Sequence, residues 1–311
     1  MRSHQTRSRS RANRSSRWPV VLALLGVLVL AGCAGGNGRE RSAEPADVDD
    51  PGFGHVHGLG WSDRDESVYA ASHYGVWRIR RADGQAYEKP VRVAGRYQDT
   101  MGFAVAAGDA FYGSGHPDMR ENLPGLLGFL VSDDRARTWT PVSLLGEVDL
   151  HDIAVAGEQV YAWDSTSGRL LASDDEGRTW RSGATGQFLD LTADPALPSR
   201  VIATSPAGVV ASADAGGTFR PVRGAPSLTR VDWGPSAGGT VLAGVDDGGS
   251  VWVASAGQPE GPWEQVGTLG QVEAFDVVAA DRFLAADDSG VKESTDGGRT
   301  WSVIAAYDRA Q

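Results

Sequence analysis

Five histidines lie between residues 55 and 151 and none after that, in a chain of 311 residues whose one other histidine is His4. Two of the five sit two residues apart in "FGHVHGLGW", at His55 and His57, and the rest are His73, His116 and His151. A neutral imidazole offers a lone pair to Zn²⁺, Cu²⁺ or Ni²⁺, and the thioether of Met101 or Met119 favours Cu⁺. Carboxylates at Asp99, Asp118, Glu121 and Asp152 are interspersed among them. Imidazole with carboxylate suits a metal, whereas two carboxyl groups about 5 to 9 Å apart across a sugar suit glycoside hydrolysis. A plainer role, orienting loops and hydrogen-bonding channel water, uses the same residue types. No local spacing such as His-Glu-x-x-His joins any two of these histidines, so the fold has to assemble whatever site they form.

The elements that could do so repeat. "SDDRARTW" at Ser132, "SDDEGRTW" at Ser173, "SADAGGTF" at Ser212 and "STDGGRTW" at Ser294 are 41, 39 and 82 residues apart, and the last interval is twice 41. A degraded copy, "SAGQPEGPW" from Ser255, falls midway in the long gap, and a remnant, "RADGQAY" from Arg81, precedes the first copy. Each unit reads as short apolar strands separated by Gly-rich turns, with no helical period, and a period near forty residues indicates four-stranded blades around an axis. The expected fold is all-β, a β-propeller of six blades rather than seven over residues 53–311, closed end to end between blades one and six.

In such a blade the first strand leaves the top face, the second returns to it, and the repeated turn after the third strand lies at the bottom. First strands align as "HVHGLGW", "DTMGFAV", "LHDIAVA", "FLDLTAD", "TRVDWGP" and "VEAFDVV", which puts His57, Met101 and His151 at one place in three successive blades. His73 and His116 follow second strands and so share the top, and His55 points to the same side as His57 because strand side chains alternate. The expected ligand or metal site therefore comprises His55, His57, His73, Met101, His116 and His151, with Zn or Cu as the metal, while Asp99, Asp118, Glu121 and Asp152 are the acid/base candidates of a hydrolase. The insertion "GHPDMRENLPG" in blade two is expected to overhang the channel mouth.

The repeated turn resembles the Asp-box, or BNR repeat, Ser-x-Asp-x-Gly-x-Thr-Trp, a family that includes sialidases, sortilin-type receptors and photosystem assembly factors. Its carboxylates (Asp134, Asp175, Asp214, Asp296) can accept backbone N–H bonds, and its aromatics (Trp139, Trp180, Phe219, Trp301) pack into the blade, so these residues are structural. "HVHGLG", "RYQDTMGF" and "GSGHPD" are similar to segments of Asp-box lipoproteins of high-GC Gram-positive bacteria labelled glycosyl hydrolase or exo-α-sialidase. That resemblance implies a hydrolase acting on extracellular glycans. The sialidase arginine clamp is not recognisable, since "RIR" at Arg78–Arg80 lacks the proline of the family's Arg-Ile-Pro signature.

The ends of the chain bear on location. Six arginines and no acid precede "VVLALLGVLVLAG", a run shorter than the roughly 20 residues a spanning helix needs. The following "LAGC" resembles a bacterial lipobox, which makes residues 1–33 a signal peptide, Cys33 the lipidated mature N-terminus, and residues 34–52 a flexible tether reaching about 25 Å. The protein is then expected to be exported and held on the outer face of the cell membrane through the lipid alone, as a monomer. Cys33 is the single cysteine, so no disulfide supports the domain. Without the six leader arginines, 23 basic residues face 40 acidic ones, a net charge of about −17 that repels nucleic acid. A glycan, a metal or another envelope protein remains as partner, and the runner-up to ligand binding and hydrolysis is a scaffold that docks an envelope protein.

Overall fold

The computed structural model describes residues 50–82 and 86–307. Cys33, the leader 1–33, the tether up to residue 49, and Asp83 and Gly84 of the blade-one remnant lie outside the described residues. Six antiparallel sheets follow one another along the chain, each built from strands that pair in sequence order. Their innermost strands are Val56–Ser62, Asp99–Val105, Leu150–Ala156, Asp190–Ala193, Leu228–Ser236 and Val272–Ala279, and the first and last of these adjoin, closing a six-bladed β-propeller. Blade one carries an extra short pairing, with Ala86–Tyr87 and Val91–Arg92 both adding to its third strand Gly75–Ala82.

Second strands such as Ser67–Ser72 are buried along their whole length. This is why they read as unbroken apolar runs and not as alternation: both faces of the sheet are covered. Fourth strands at the rim, such as Thr140–Ser143, are mostly exposed. The buried apolar residues fall into six clusters, and each cluster joins two neighbouring blades. Closure uses the same means: Val56, Leu59, Trp77 and Ile79 of blade one pack against Ala274, Leu284, Val291 and Ile304 of blade six, with Phe53 stacked on Trp77 at 4.5 Å between ring centroids. Among the described residues no strand crosses the seam, as the self-contained units of the sequence predict.

The repeated turns are wired identically in blades two, three, four and six. In blade three Ser173 Oγ donates to Asp175 Oδ1 at 2.8 Å and accepts the Gly177 N–H at 2.8 Å. Asp175 Oδ1 accepts the Thr179 N–H at 2.8 Å, and Oδ2 accepts the Thr179 hydroxyl at 2.7 Å. The same four bonds recur around Asp134, Asp214 and Asp296. Bonds from the threonines and serines hold the Asp175, Asp214 and Asp296 carboxyls down at about 2. With both oxygens used inside one turn, these carboxylates are structural.

Each turn also docks on the preceding blade. Trp180 packs edge-on against Phe129 and donates to Ser143 Oγ at 2.8 Å, and Ser143 donates in turn to the Gly177 carbonyl at 2.5 Å. Gly177 has a φ of +80°, and a Cβ there would sit 2.2 Å from a Phe129 ring carbon. Gly177→Ala is therefore expected to cost roughly 2–4 kcal/mol from left-handed strain plus overpacking. Denaturant unfolding checks this, and a variant within 0.5 kcal/mol of the parent, on about the accuracy of surface substitutions, would show the turn to be pliable.

Candidate site on the top face

A β-bulge marks the top of the inner strand in five blades. Pairing with the second strand skips His57 in blade one, Met101 with Gly102 in blade two, His151 in blade three, Thr229 in blade five and Glu273 in blade six. Bulges re-aim side chains at the ends of sheets. The alignment of His57, Met101 and His151 is thus a structural equivalence, and Glu273 is a further member of the ring that carries no histidine to betray it.

His55, His57 and His73 lie together, with the His55 ring centroid 4.9 Å from that of His57 and 5.9 Å from that of His73, while His116 and His151 gather on another carboxylate. His55 Nδ1 lies 3.4 Å from Glu273 Oε1, whose other oxygen accepts the Val56 N–H at 3.0 Å across the seam. His57 Nε2, His73 Nδ1 and Asp99 Oδ1 converge, with separations of 3.2 Å between the imidazoles, 3.0 Å from His73 to Asp99 and 3.7 Å from His57 to Asp99. His116 and His151 flank Asp149 instead, at 3.8 and 2.7 Å from its Oδ2. Asp149 escaped the sequence reading, although its i, i+2 spacing to His151 puts both on one side of an extended strand. Asp99 and His116 face each other across one rung of the blade-two ladder. Gly115 permits this close approach: at φ +131° a Cβ there would lie 2.1 Å from the Asp99 carbonyl oxygen.

The convergent trio has an electrostatic conflict. Burial, reinforced by the charges of His55 and His73, pushes His57 down to about 3, so its ring is neutral at physiological pH. If His73 Nδ1 carries a proton it satisfies Asp99, and His57 Nε2 then meets an N–H it can accept only by sharing. If it carries none, it confronts the Asp99 carboxylate lone pair to lone pair.

The hydrolase candidates sit differently. Asp118 is buried, accepts the Tyr97 N–H at 2.8 Å, and takes two bonds from the Arg120 guanidinium, which holds its carboxyl well below the usual carboxylate range. Glu121 pairs with Arg96 at 2.6 Å. These contacts fasten the blade-two insertion to the connection around residues 95–97, and the residues lining the central channel include none from it. Asp152 does line that channel, a cavity of about 760 Å³ running from His57 to Asp63 and Arg64. There it is hydrogen-bonded to the Asp190 carboxyl, so the two are too close to straddle a sugar.

Asp152 and Asp190 belong to a set that ties inner strands of neighbouring blades, which have no ladder between them. Asp152 accepts the Leu191 N–H, Asp190 the Val231 N–H and Asp232 the Val277 N–H, each at 2.6 Å. Arg230, anchored on the Glu273 carbonyl at 2.8 Å, stands beside the first two. Burial raises all of these carboxyls: Asp152 to about 6, Asp190 and Asp276 well above the ordinary range, each of the latter also repelled by its neighbouring aspartate.

A carboxyl raised in the native state binds its proton there first, so it favours folding at low pH and that contribution is lost as pH rises through about 6. His57 works in the opposite direction, and a comparison with Asp152→Asn/Asp190→Asn cancels it. Relative to that double variant the parent is expected to lose melting temperature between pH 5 and 7.5, measured by calorimetry; parallel profiles would mean the pair does not share a proton.

No family model and no curated protein matches the chain. Solved structures do: a GH74 enzyme of Niastella koreensis at 17% identity, covering 81% of this chain and 45% of that one with a TM-score of 0.55; a chain of a nidogen/laminin complex at 12%, covering 74% and 89%, with 0.54; and YCF48 bound to D1 peptide at 17%, covering 83% of each, with 0.50. At these identities the likeness is one of fold, and the chain spans less than half of the GH74 enzyme. The fold defines a β-propeller scaffold whose function has to be read from its own site.

Proposed function

We propose that this chain is a lipid-anchored, exported β-propeller, of the Asp-box kind, that binds a transition-metal ion on its top face through His57, His73 and Asp99. The observation that carries this reading is the spacing of the three donor atoms. Tetrahedral ligands about 2.0–2.1 Å from a zinc ion lie about 3.3–3.4 Å from one another. The trio's separations of 3.0, 3.2 and 3.7 Å bracket that value without any rearrangement. A cation among them also removes the conflict of lone pairs, giving each acceptor an electrophile. His73 and Asp99 are partly exposed, so an ion has access from solvent and a fourth position stays open to water or a ligand.

Two imidazoles and one carboxylate suit Zn²⁺ or Cu²⁺. Binding, rather than hydrolysis, is the activity this geometry supports. Asp118 and Glu121 are paired with arginines, Asp152 is joined to Asp190 and Asp99 contacts His73, so each acid candidate of the hydrolase reading already has a partner in the protein. On this reading a lipid on Cys33 would hold the propeller on the outer face of the membrane, where it would meet metal in the envelope.

The purified protein, without a His-tag, is expected to retain or take up Zn²⁺ or Cu²⁺, and His73→Ala or Asp99→Asn to weaken uptake at this site by 100-fold or more, about 2.7 kcal/mol or greater. Calorimetric titration with each metal checks it. Equal affinity in parent and both variants would exclude the trio as the site, and turnover of a glycoside by the parent would return the hydrolase reading.

A further inference from the structure

We propose that a metal ion held by His57, His73 and Asp99 is the fastener between blades one and two, the polar tie that a hydrogen bond supplies at the other five interfaces. This role presupposes that the trio binds a metal, and it makes the firmness of the ring depend on the ion.

At five of the six interfaces a side-chain oxygen of one blade accepts an N–H from the inner strand of the next. Ser114 takes the N–H of Leu150, Asp152 that of Leu191, Asp190 that of Val231, Asp232 that of Val277 and Glu273 that of Val56, at 2.6 to 3.1 Å. From blade one to blade two no such bond occurs among the described residues.

The reason is steric. Gly58 holds the place of Asp152 and Asp190: each pairs with the next-to-last residue of its second strand, Ala71, Trp163 and Thr204 respectively. A Cβ on Gly58 would lie 3.0 Å from Phe103 Cβ and 3.3 Å from the Phe103 carbonyl oxygen, and one on Gly60 would lie 2.4 Å from Val105 Cγ2. The two inner strands run too close there for a carboxylate to stand between them. They meet instead through apolar contact, with Phe103 and Phe111 of blade two against Tyr69 and Val76 of blade one. At the bottom Ser62 Oγ donates to Asp109 Oδ2 at 2.6 Å and Arg64 to the Gly108 carbonyl at 3.2 Å. The top of the interface is left to the trio.

The three donors belong to two blades. His57 is the residue skipped at the blade-one bulge and His73 follows the second strand of that blade, whereas Asp99 begins the inner strand of blade two. An ion coordinated by all three cannot stay fully ligated while the blades part. Without it the tie is a hydrogen bond between partly exposed side chains, for which water competes. Blade one is also held from its other side, since Glu273 accepts the Val56 N–H one residue before His57 and faces His55 Nδ1 at 3.4 Å. With the ion in place the first blade is pinned at the top to both neighbours, to the sixth by Glu273 and to the second by the metal.

The test is amide hydrogen exchange of the full purified protein, metal-free and with saturating Zn²⁺, with binding measured on the same samples by titration calorimetry. Zn²⁺ is expected to slow exchange about tenfold or more in Val56–Ser62 and Asp99–Val105 while leaving Asp190–Ala193 and Leu228–Ser236 unchanged. His73→Ala, which alters a partly exposed side chain, should exchange like the metal-free parent whether or not Zn²⁺ is present. Binding that requires His73 but slows neither strand, or slows all six blades equally, would overturn the fastener and leave the site, because mass action alone stabilises the whole fold evenly. Absence of Zn²⁺ binding, or binding that His73→Ala leaves intact, would overturn the site and the fastener together.

Discussion

Everything in this molecule depends on apolar packing between the faces of adjacent blades. A four-stranded sheet whose two faces are both covered cannot stand alone, and each blade here shares one buried cluster with the blade before it and one with the blade after. The sixth interface, Val56, Leu59 and Ile79 against Leu284, Val291 and Ile304, is chemically the same as the other five, so among the described residues the ring closes by face packing rather than by exchange of a strand. The Ser-x-Asp turns serve that packing. They tighten the bottom of a blade and lay a glycine and a tryptophan against the neighbour's rim.

Radial packing leaves the inner strands with no partner on the channel side, and side chains take over the work of a ladder. On one half of the ring this is done by aspartates 152, 190 and 232, each accepting a backbone N–H of the next blade. Burial at that place favours the protonated acid, so the channel carries less charge than its composition suggests. Across the seam Glu273 does the same for Val56, and between blades two and three Ser114 does it for Leu150. The acids of the channel are therefore fasteners first, and their proximity to one another follows from fastening.

On the other half of the ring the inner-strand tops carry His57, Met101 and His151 in place of such bridges, and here the polar groups are not mutually satisfied. His57, His73 and Asp99 present three acceptors with too few hydrogens among them, and Asp149 keeps one buried oxygen without a donor. Three convergent acceptors open to solvent are the arrangement that suits something positively charged. The fold itself is shared with chains as different as a GH74 enzyme and YCF48, and says nothing of which ion or ligand that is.

From the sequence alone, the fold was legible because its causes are local and repeated: the Ser-x-Asp turn recurs near every forty residues, and second strands such as "SVYAAS" show the unbroken apolar run of a sheet buried on both sides. The gathering of five histidines on one face was legible too, since strand direction and side alternation follow from the repeat. What the sequence could not decide was how those histidines divide. That depends on bulges that add one residue at the top of an inner strand, and on a glycine at residue 115 that brings Asp99 and His116 across the same rung. It depends also on charges that come from elsewhere in the ring, such as Arg120 taking Asp118 out of acid chemistry and Asp190 pairing with Asp152. Periodicity reports which way a side chain points; only the tertiary structure sets distances to within an ångström, and hydrogen bonding and metal ligation are decided on that scale.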